Sequence, residues 1–177
     1  MRLRNTSARR RVVVGTALAL PLALAFAGLT LAGPRASLAD VRQATTKYHD
    51  INAAYADGYV LFYRCTEEPG VGTMGQHLVK MSLVANPAVD ALHPEVLVYA
   101  PKRNGEMKLI AVEYVTLDTS VQPYVLGQPM LFREAGNRYG LPDFYERHAW
   151  IWQGNPRGTF DDWNPSVTCL GTGDNGG

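Results

Sequence analysis

The chain has 177 residues, 17 Lys+Arg against 16 Asp+Glu, and is 46% hydrophobic, which fits one globular domain and excludes a disordered chain. The first 39 residues hold six of the basic groups and none of the acidic ones, so the remaining 138 carry 11 basic and 16 acidic groups, a net of −5. Such a body lacks the basic excess of a nucleic-acid-binding protein, and it is long enough to bury a core without a metal to hold it.

Arg2, Arg4, Arg9, Arg10 and Arg11 precede an uncharged run from Val12 to Gly33. Ser37-Leu38-Ala39 then places small residues at −3 and −1 of a cut before Asp40. Residues 1–39 read as a secretory signal peptide and residues 40–177 as a single globular domain. The apolar run is also long enough to span a bilayer, so an uncleaved N-terminal anchor is the competing reading, although Pro21 weakens a continuous helix. Contact with a membrane is expected only if the leader is uncleaved. Arg9-Arg10-Arg11 suits twin-arginine export as well as a plain n-region. No Cys near the cut offers a lipid anchor. The expected address is exported, periplasmic or extracellular.

Residues 40–56 are predicted to form a helix, with Ala44, Tyr48, Ile51 and Tyr55 as its apolar stripe and Gly58 as its stop. Residues 59–65 are predicted to be a strand and residues 69–72 a loop. A second extended run is expected over 77–84, followed by a turn or short helix between Asn86-Pro87 and His93-Pro94. Residues 95–100 and 106–116 are the clearest strands, joined by a hairpin ending in Asn104-Gly105. The pattern fades over 118–142, where a short helix is expected near 132–139. A last strand is expected over 148–153, and the tail from Gly171 is Gly-rich. The sum is α+β, an N-terminal helix packed on a mostly antiparallel sheet.

Cys65 and Cys169 are an even pair in an exported body, which favours one disulfide over two separate thiols. The candidate chemistry lies on the strands, whose side chains alternate faces. His77 shares its predicted face with Val79, Met81 and Leu83. Glu113 shares its face with Met107, Leu109, Ala111 and Val115, and His148 with Trp150 and Trp152. An ionisable group on a core-facing side requires a partner, and the simplest shared solution is that His77, Glu113 and His148 converge. Two imidazoles and a carboxylate make the ligand set of an open zinc or non-haem iron site. Without metal they make an acid/base pair in a pocket, or a hydrogen-bond cluster that satisfies only itself. His49 and His93 are expected at the surface. Residues 155–165, with two Asn-Pro pairs, read as a rim over the cluster or as an Ω-like loop leading to Cys169. The glycines at 70, 72 and 75 lack the Lys of a phosphate loop. No Gly-x-Ser-x-Gly elbow is present.

The run Met74-Gly75-x-His77, Pro94-Glu95-Val96-Leu97-Val98-Tyr99, Val112-Glu113-Tyr114 and then His148-x-Trp150-x-Trp152-x-x-Asn155-Pro156-x-Gly158-x-Phe160-x-x-x-Asn164-Pro165-x-Val167-x-Cys169 resembles an uncharacterised family of small secreted bacterial proteins. The resemblance covers nearly all of residues 48–169. It includes the positions of His77, Glu113, His148, Cys65 and Cys169, and implies no established activity. Asn86-Pro87-Ala88 comes later than in that pattern, which bears on the path after His77.

The expected function is binding of a metal ion or small molecule at His77, Glu113 and His148, in a pocket shared with Tyr114, Trp150 and Trp152. The cofactor is expected to be one divalent transition metal, zinc, iron or copper, and an open position on it would permit enzymatic use. The alternative is a non-enzymatic envelope protein whose His–Glu–His cluster is part of the core and whose surface meets a protein partner.

Overall fold

The computed structural model describes residues 35–170. Most of the expected leader, residues 1–34, and the Gly-rich tail, residues 171–177, lie outside the described residues. Ser37 caps the first helix, α1 (Leu38–Thr45), in a reciprocal capping box with Asp40. The single helix expected over 40–56 is instead three pieces: α1, a 3-10 turn at Thr46–His49, and α2 at Ile51–Ala56. The hydroxyl of the buried Tyr99 donates to the Tyr48 carbonyl at 2.7 Å, and the Asp50 side chain starts a new helix by accepting from Asn52 N. The stripe shifts accordingly. Val41, Thr45, Tyr48 and Ala54 are buried, while Tyr55 is 46% exposed.

Eight strands follow: β1 (Val60–Glu68), β2 (Gly72–Val79), β3 (Val96–Pro101), β4 (Met107–Thr116), β5 (Tyr124–Val125), β6 (Gln128–Pro129), β7 (Leu131–Arg133) and β8 (Phe144–Ala149). Six of them form one sheet in the order β1-β2-β3-β4-β8-β7, with every pair antiparallel. The antiparallel sheet with a few short helices is the α+β architecture expected. β5 and β6 make a small hairpin whose two turn residues, Leu126 and Gly127, both have positive φ, as a two-residue turn matched to strand twist requires.

Four local expectations are corrected. The extended run after His77 stops at Val79, and Met81–Val84 is a short helix, α3, so Met81 and Leu83 do not continue the His77 strand. The helix expected near 132–139 is absent. β7 occupies 131–133, and Asn137 then organises a loop, its amide donating to the Glu134 and Leu141 carbonyls and its oxygen accepting from Tyr139 N and Leu141 N. The last strand runs over 144–149 rather than 148–153. Beyond Ala149 the chain turns, and Trp152 N and Gln153 N both donate to the Ile110 carbonyl.

The fourth correction concerns β4. Val98 pairs with Ala111 but Tyr99 pairs with Leu109, so Ile110 is an extra residue. This bulge reverses the facing of everything before it. Leu109 and Met107 join Val112, Tyr114, Leu78, Leu97 and Tyr99 in one cluster, which also holds Val41, Tyr48 and Ala54. Ala111 and Val115 lie on the other face with Val79, Val96, Val98, Phe144 and Trp150. Glu113 therefore shares a face with Ala111 and Val115 and not with Met107 or Leu109.

β2 passes unusually close to its neighbours at Gly75. Its φ is +100°, and a Cβ there would sit 2.6 Å from Val98 Cγ1 and 2.9 Å from the Tyr99 carbonyl oxygen. Glycine is thus required two residues before His77, where it lets β2 lie against β3.

Cys65 and Cys169 form the expected disulfide, a bond that belongs to an oxidising compartment. The segment leading to Cys169 is also held by a backbone bridge between Thr73 and Asn164 and by Thr73 Oγ1 donating to the Val167 carbonyl at 2.8 Å. Among the described residues no helix is long and apolar enough to cross a membrane.

Glu95, just before β3, is buried and accepts a hydrogen bond from Val115 N at 3.1 Å. Burial pushes its carboxyl from the ordinary 4.5 up to about 7. The folded state therefore holds a proton that the unfolded chain has lost, and stability falls as pH rises from 4.5 through 7. Glu95→Gln keeps an acceptor for Val115 N without the charge. We expect it to raise the melting temperature at pH 8 and leave it unchanged near pH 4. The gain at pH 8 has an upper bound on the order of 3 kcal/mol. Parallel melting curves at the two pH values check this, and equal shifts at both would contradict it.

Candidate metal centre

The register of the sheet brings three ionisable side chains together. Glu113 on β4 stands directly opposite His148 on β8. His77 on β2 is paired with Val98 of β3, and Val96 of β3 is paired with Glu113, so His77 reaches Glu113 across one strand. His77 Nε2 lies 3.5 Å from Glu113 Oε2, and His148 Nδ1 lies 3.6 Å from Glu113 Oε1. The two imidazole rings are 5.5 Å apart and perpendicular. All three side chains are buried. One donor atom from each can be chosen so that all lie within 4.8 Å of one another, a group that could hold a metal ion.

Neither ring is well satisfied: both stand at ion-pair distance from Glu113, and His77 has in addition only the backbone at Gly75. All four nitrogens, Nδ1 and Nε2 of His77 and of His148, are buried and lack a well-formed hydrogen bond. Buried polar atoms in folded proteins are overwhelmingly paired, and an unpaired one costs roughly 1–3 kcal/mol. A cluster that served only to satisfy its own members would show imidazole N–H groups bonded to Glu113. The bare distances of 3.5 and 3.6 Å are instead close to the roughly 3.3 Å between ligands of a tetrahedral ion with bonds of about 2.0–2.1 Å.

Electrostatics add a fourth group. Glu146, on β8 and on the same face as His148, is buried and paired with Arg133, which also pairs with Asp162. Glu146 stands near enough to Glu113 for their carboxyls to influence each other's protonation. Burial, followed by the neighbouring Glu146, pushes Glu113 well above the ordinary carboxylate range. Burial also acts on Glu146, but the Glu113 carboxyl and the Arg133 guanidinium hold it below its ordinary value. The two carboxyls are thus pushed apart, Glu113 toward its protonated form and Glu146 toward its charged form. Burial takes His77 down from 6.5 to about 3, with His148 acting in the same sense and Glu146 and a hydrogen bond with the Gly75 backbone against it. Burial lowers His148 as well. Two neutral imidazoles facing carboxyl groups are in the protonation state that metal binding needs.

Two of the three expected pocket residues stand elsewhere. Trp150 belongs here, stacked against His148 with ring centroids 5.9 Å apart. Tyr114 lies on the opposite face, its hydroxyl donating to the Ala91 carbonyl. That position follows from strand alternation, since Tyr114 neighbours Glu113. Trp152 lies beyond the end of β8, its ring against His49 and its Nε1 donating to Thr45 Oγ1. His49 is exposed, and so is His93, which pairs with Asp90.

Glu146, Arg133 and Asp162 were not among the expected residues. For Glu146 the signal was present, because Glu146-x-His148-x-Trp150 is one face of a strand begun at Phe144. Asp162 belongs to the loop of residues 155–165, which proves to be an ordered loop fastened by amides. Asn155 Nδ2 donates to the Trp163 carbonyl and Asn164 Nδ2 to the Gly154 carbonyl.

Comparison with protein families, with curated proteins and with solved structures finds no match.

Proposed function

We propose that this is an exported metal-binding protein in which His77, Glu113 and His148 hold one divalent transition metal, zinc, iron or copper. The observation that carries the reading is the close approach of one donor atom each from His77, Glu113 and His148, with four buried imidazole nitrogens that lack a well-formed hydrogen bond. It weighs against the alternative, a structural envelope protein with a self-satisfied core network. Charge is also in place. A divalent ion that displaces the Glu113 proton meets two carboxylates, Glu113 and Glu146, while Arg133 remains balanced by Asp162. Glu146, fixed by Arg133, orients Glu113 as the outer partner that metal ligands commonly have. The disulfide, the leader and the resemblance to small secreted bacterial proteins support the exported address. The N-terminal helical segment is read as covering the face of the sheet away from the site. Three protein ligands leave an open position, and an ion there polarises an oxygen of water or of a small molecule.

Calorimetric titration of the metal-free protein with zinc, iron(II) and copper(II), at pH 6 and pH 8, tests this. We expect one equivalent bound, with release of protons because Glu113, pushed toward its protonated form, must give up its own. The affinity should rise with pH. Absence of saturable binding by all three metals at both pH values would overturn the reading.

A further inference from the structure

A cavity of about 270 Å³ is lined from the loop between β7 and β8 and from the loop of residues 155–165. Both loops are ordered, the first by Asn137, whose side chain binds backbone groups of Glu134, Tyr139 and Leu141. The lining is charged in an uneven way. Arg133 pairs with Glu146 through Oε1 and with Asp162 through Oδ2, so neither carboxylate has a cation to itself. Their other oxygens, Glu146 Oε2 and Asp162 Oδ1, are buried and lack a well-formed hydrogen bond, and Glu146 as a whole is 1% exposed. Arg138 has the opposite deficit. It is exposed, its guanidinium lies 5.3 Å from the centroid of the Trp163 ring, and it has no ion-pair partner among the described residues. Tyr139 and Met74 supply lining of another kind, the Tyr139 hydroxyl donating to Met74 Sδ at 3.5 Å.

We propose that this cavity binds a free α-amino acid with an apolar side chain, its carboxylate on Arg138, its ammonium at Asp162 and its side chain against Met74, Tyr139 and Trp163. Buried acceptors require donors, and an ammonium offers three N–H groups and no acceptor. A guanidinium without a partner presents a planar fork that fits a carboxylate with two parallel hydrogen bonds. One ligand that carries both charges on neighbouring atoms answers both deficits at once. A simple amine would leave Arg138 unpaired, and a simple carboxylate would face Glu146 and Asp162 with nothing to give them. The size agrees. About 270 Å³ is just under the roughly 300 Å³ at which pockets for drug-sized ligands begin, which suits a molecule as small as an amino acid. The site needs no metal, because Arg138 and Asp162 lie outside the group of His77, Glu113 and His148.

Titration of the full-length oxidised protein with L-leucine, L-methionine and L-phenylalanine tests the proposal, read by calorimetry and by the indole N–H resonance of Trp163. The protein is kept metal-free, since free amino acids themselves chelate zinc, and zinc binding is measured in a separate titration. We expect saturable binding of at least one of the three, with movement of the Trp163 signal. Two analogues of leucine each keep a single charge: 3-methylbutylamine lacks the carboxylate and 4-methylpentanoate lacks the ammonium. Each should bind at least tenfold more weakly than leucine. Arg138→Gln removes an exposed side chain, so it should leave the melting temperature and the zinc affinity unchanged while weakening leucine at least tenfold. Asp162→Asn should weaken leucine as strongly, and if that variant does not fold, Arg138→Gln and the two analogues decide the matter. Three outcomes would each overturn the proposal: no binding of any of the three amino acids, a single-charge analogue that binds as tightly as leucine, or leucine affinity within threefold of the parent in Arg138→Gln.

Discussion

Glu113→Gln is expected to abolish metal binding while leaving the protein folded. Burial and the neighbouring Glu146 push Glu113 toward its protonated form, so a neutral amide of the same size resembles the group that is already there. What it cannot supply is the anionic oxygen that a divalent ion requires. Loss of an outer partner alone commonly costs 10–100-fold in metal affinity, and loss of a ligand should exceed that range. Because the amide matches the neutral carboxyl in size, the metal-free Glu113→Gln variant should melt close to the parent temperature. His148→Ala differs. Its ring is buried between Glu113 and Trp150, and deleting it leaves a cavity, so it should lose stability together with metal. Zinc titration beside thermal melting separates the two effects. Zinc affinity within threefold of the parent in a folded Glu113→Gln variant would contradict this account of the site.

The second large effect is expected at the disulfide. Cys65 and Cys169 are 104 residues apart in sequence, so their bond closes most of the described chain into one loop. On the chain-entropy account a closure of about 100 residues contributes up to about 4.7 kcal/mol, and loss of a native disulfide typically costs 2–5 kcal/mol. We expect Cys65→Ala with Cys169→Ala, or reduction of the parent, to fall in that range in urea denaturation. The loss should spread to the site. The segment that Cys169 anchors follows the loop carrying Asp162, and Asp162 steadies Arg133, which holds Glu146. Metal affinity should therefore drop moderately in the reduced protein, by less than in Glu113→Gln. A change below about 1 kcal/mol on reduction would show that the Thr73–Asn164 bridge and the buried segment suffice without the bond.

Much of the sheet was legible because its central strands are apolar runs bounded by turn residues. β3 and β4 are near-continuous apolar runs on either side of a polar turn ending in Asn104-Gly105, and both appear where expected. The convergence of His77, Glu113 and His148 was legible for another reason: an ionisable group on a buried face has few affordable neighbours. What no local pattern could reveal was the bulge at Ile110, which depends on how β4 pairs with β3 and reverses the facing of Met107 and Leu109. The broken helix has the same origin. Its apolar spacing fits a continuous helix, and the interruption at Tyr48 involves a hydroxyl on Tyr99, 51 residues away. Glu146 was hidden by a boundary error, since a strand begun at His148 leaves it outside. Trp152 was misplaced by the same strand run too far, past Ala149, where the backbone turns to the Ile110 carbonyl.

The imidazole nitrogens themselves give the most direct test. Nitrogen-15 spectra of the full-length oxidised protein, labelled at its four histidines, would be recorded as zinc is added to one equivalent. The account predicts that the ring signals of His77 and His148 alone move, in slow exchange, each with one nitrogen taking the shift of a metal-bound atom. His49 and His93 should stay where they are. Unmoved signals from His77 and His148, or movement confined to the exposed pair, would contradict it.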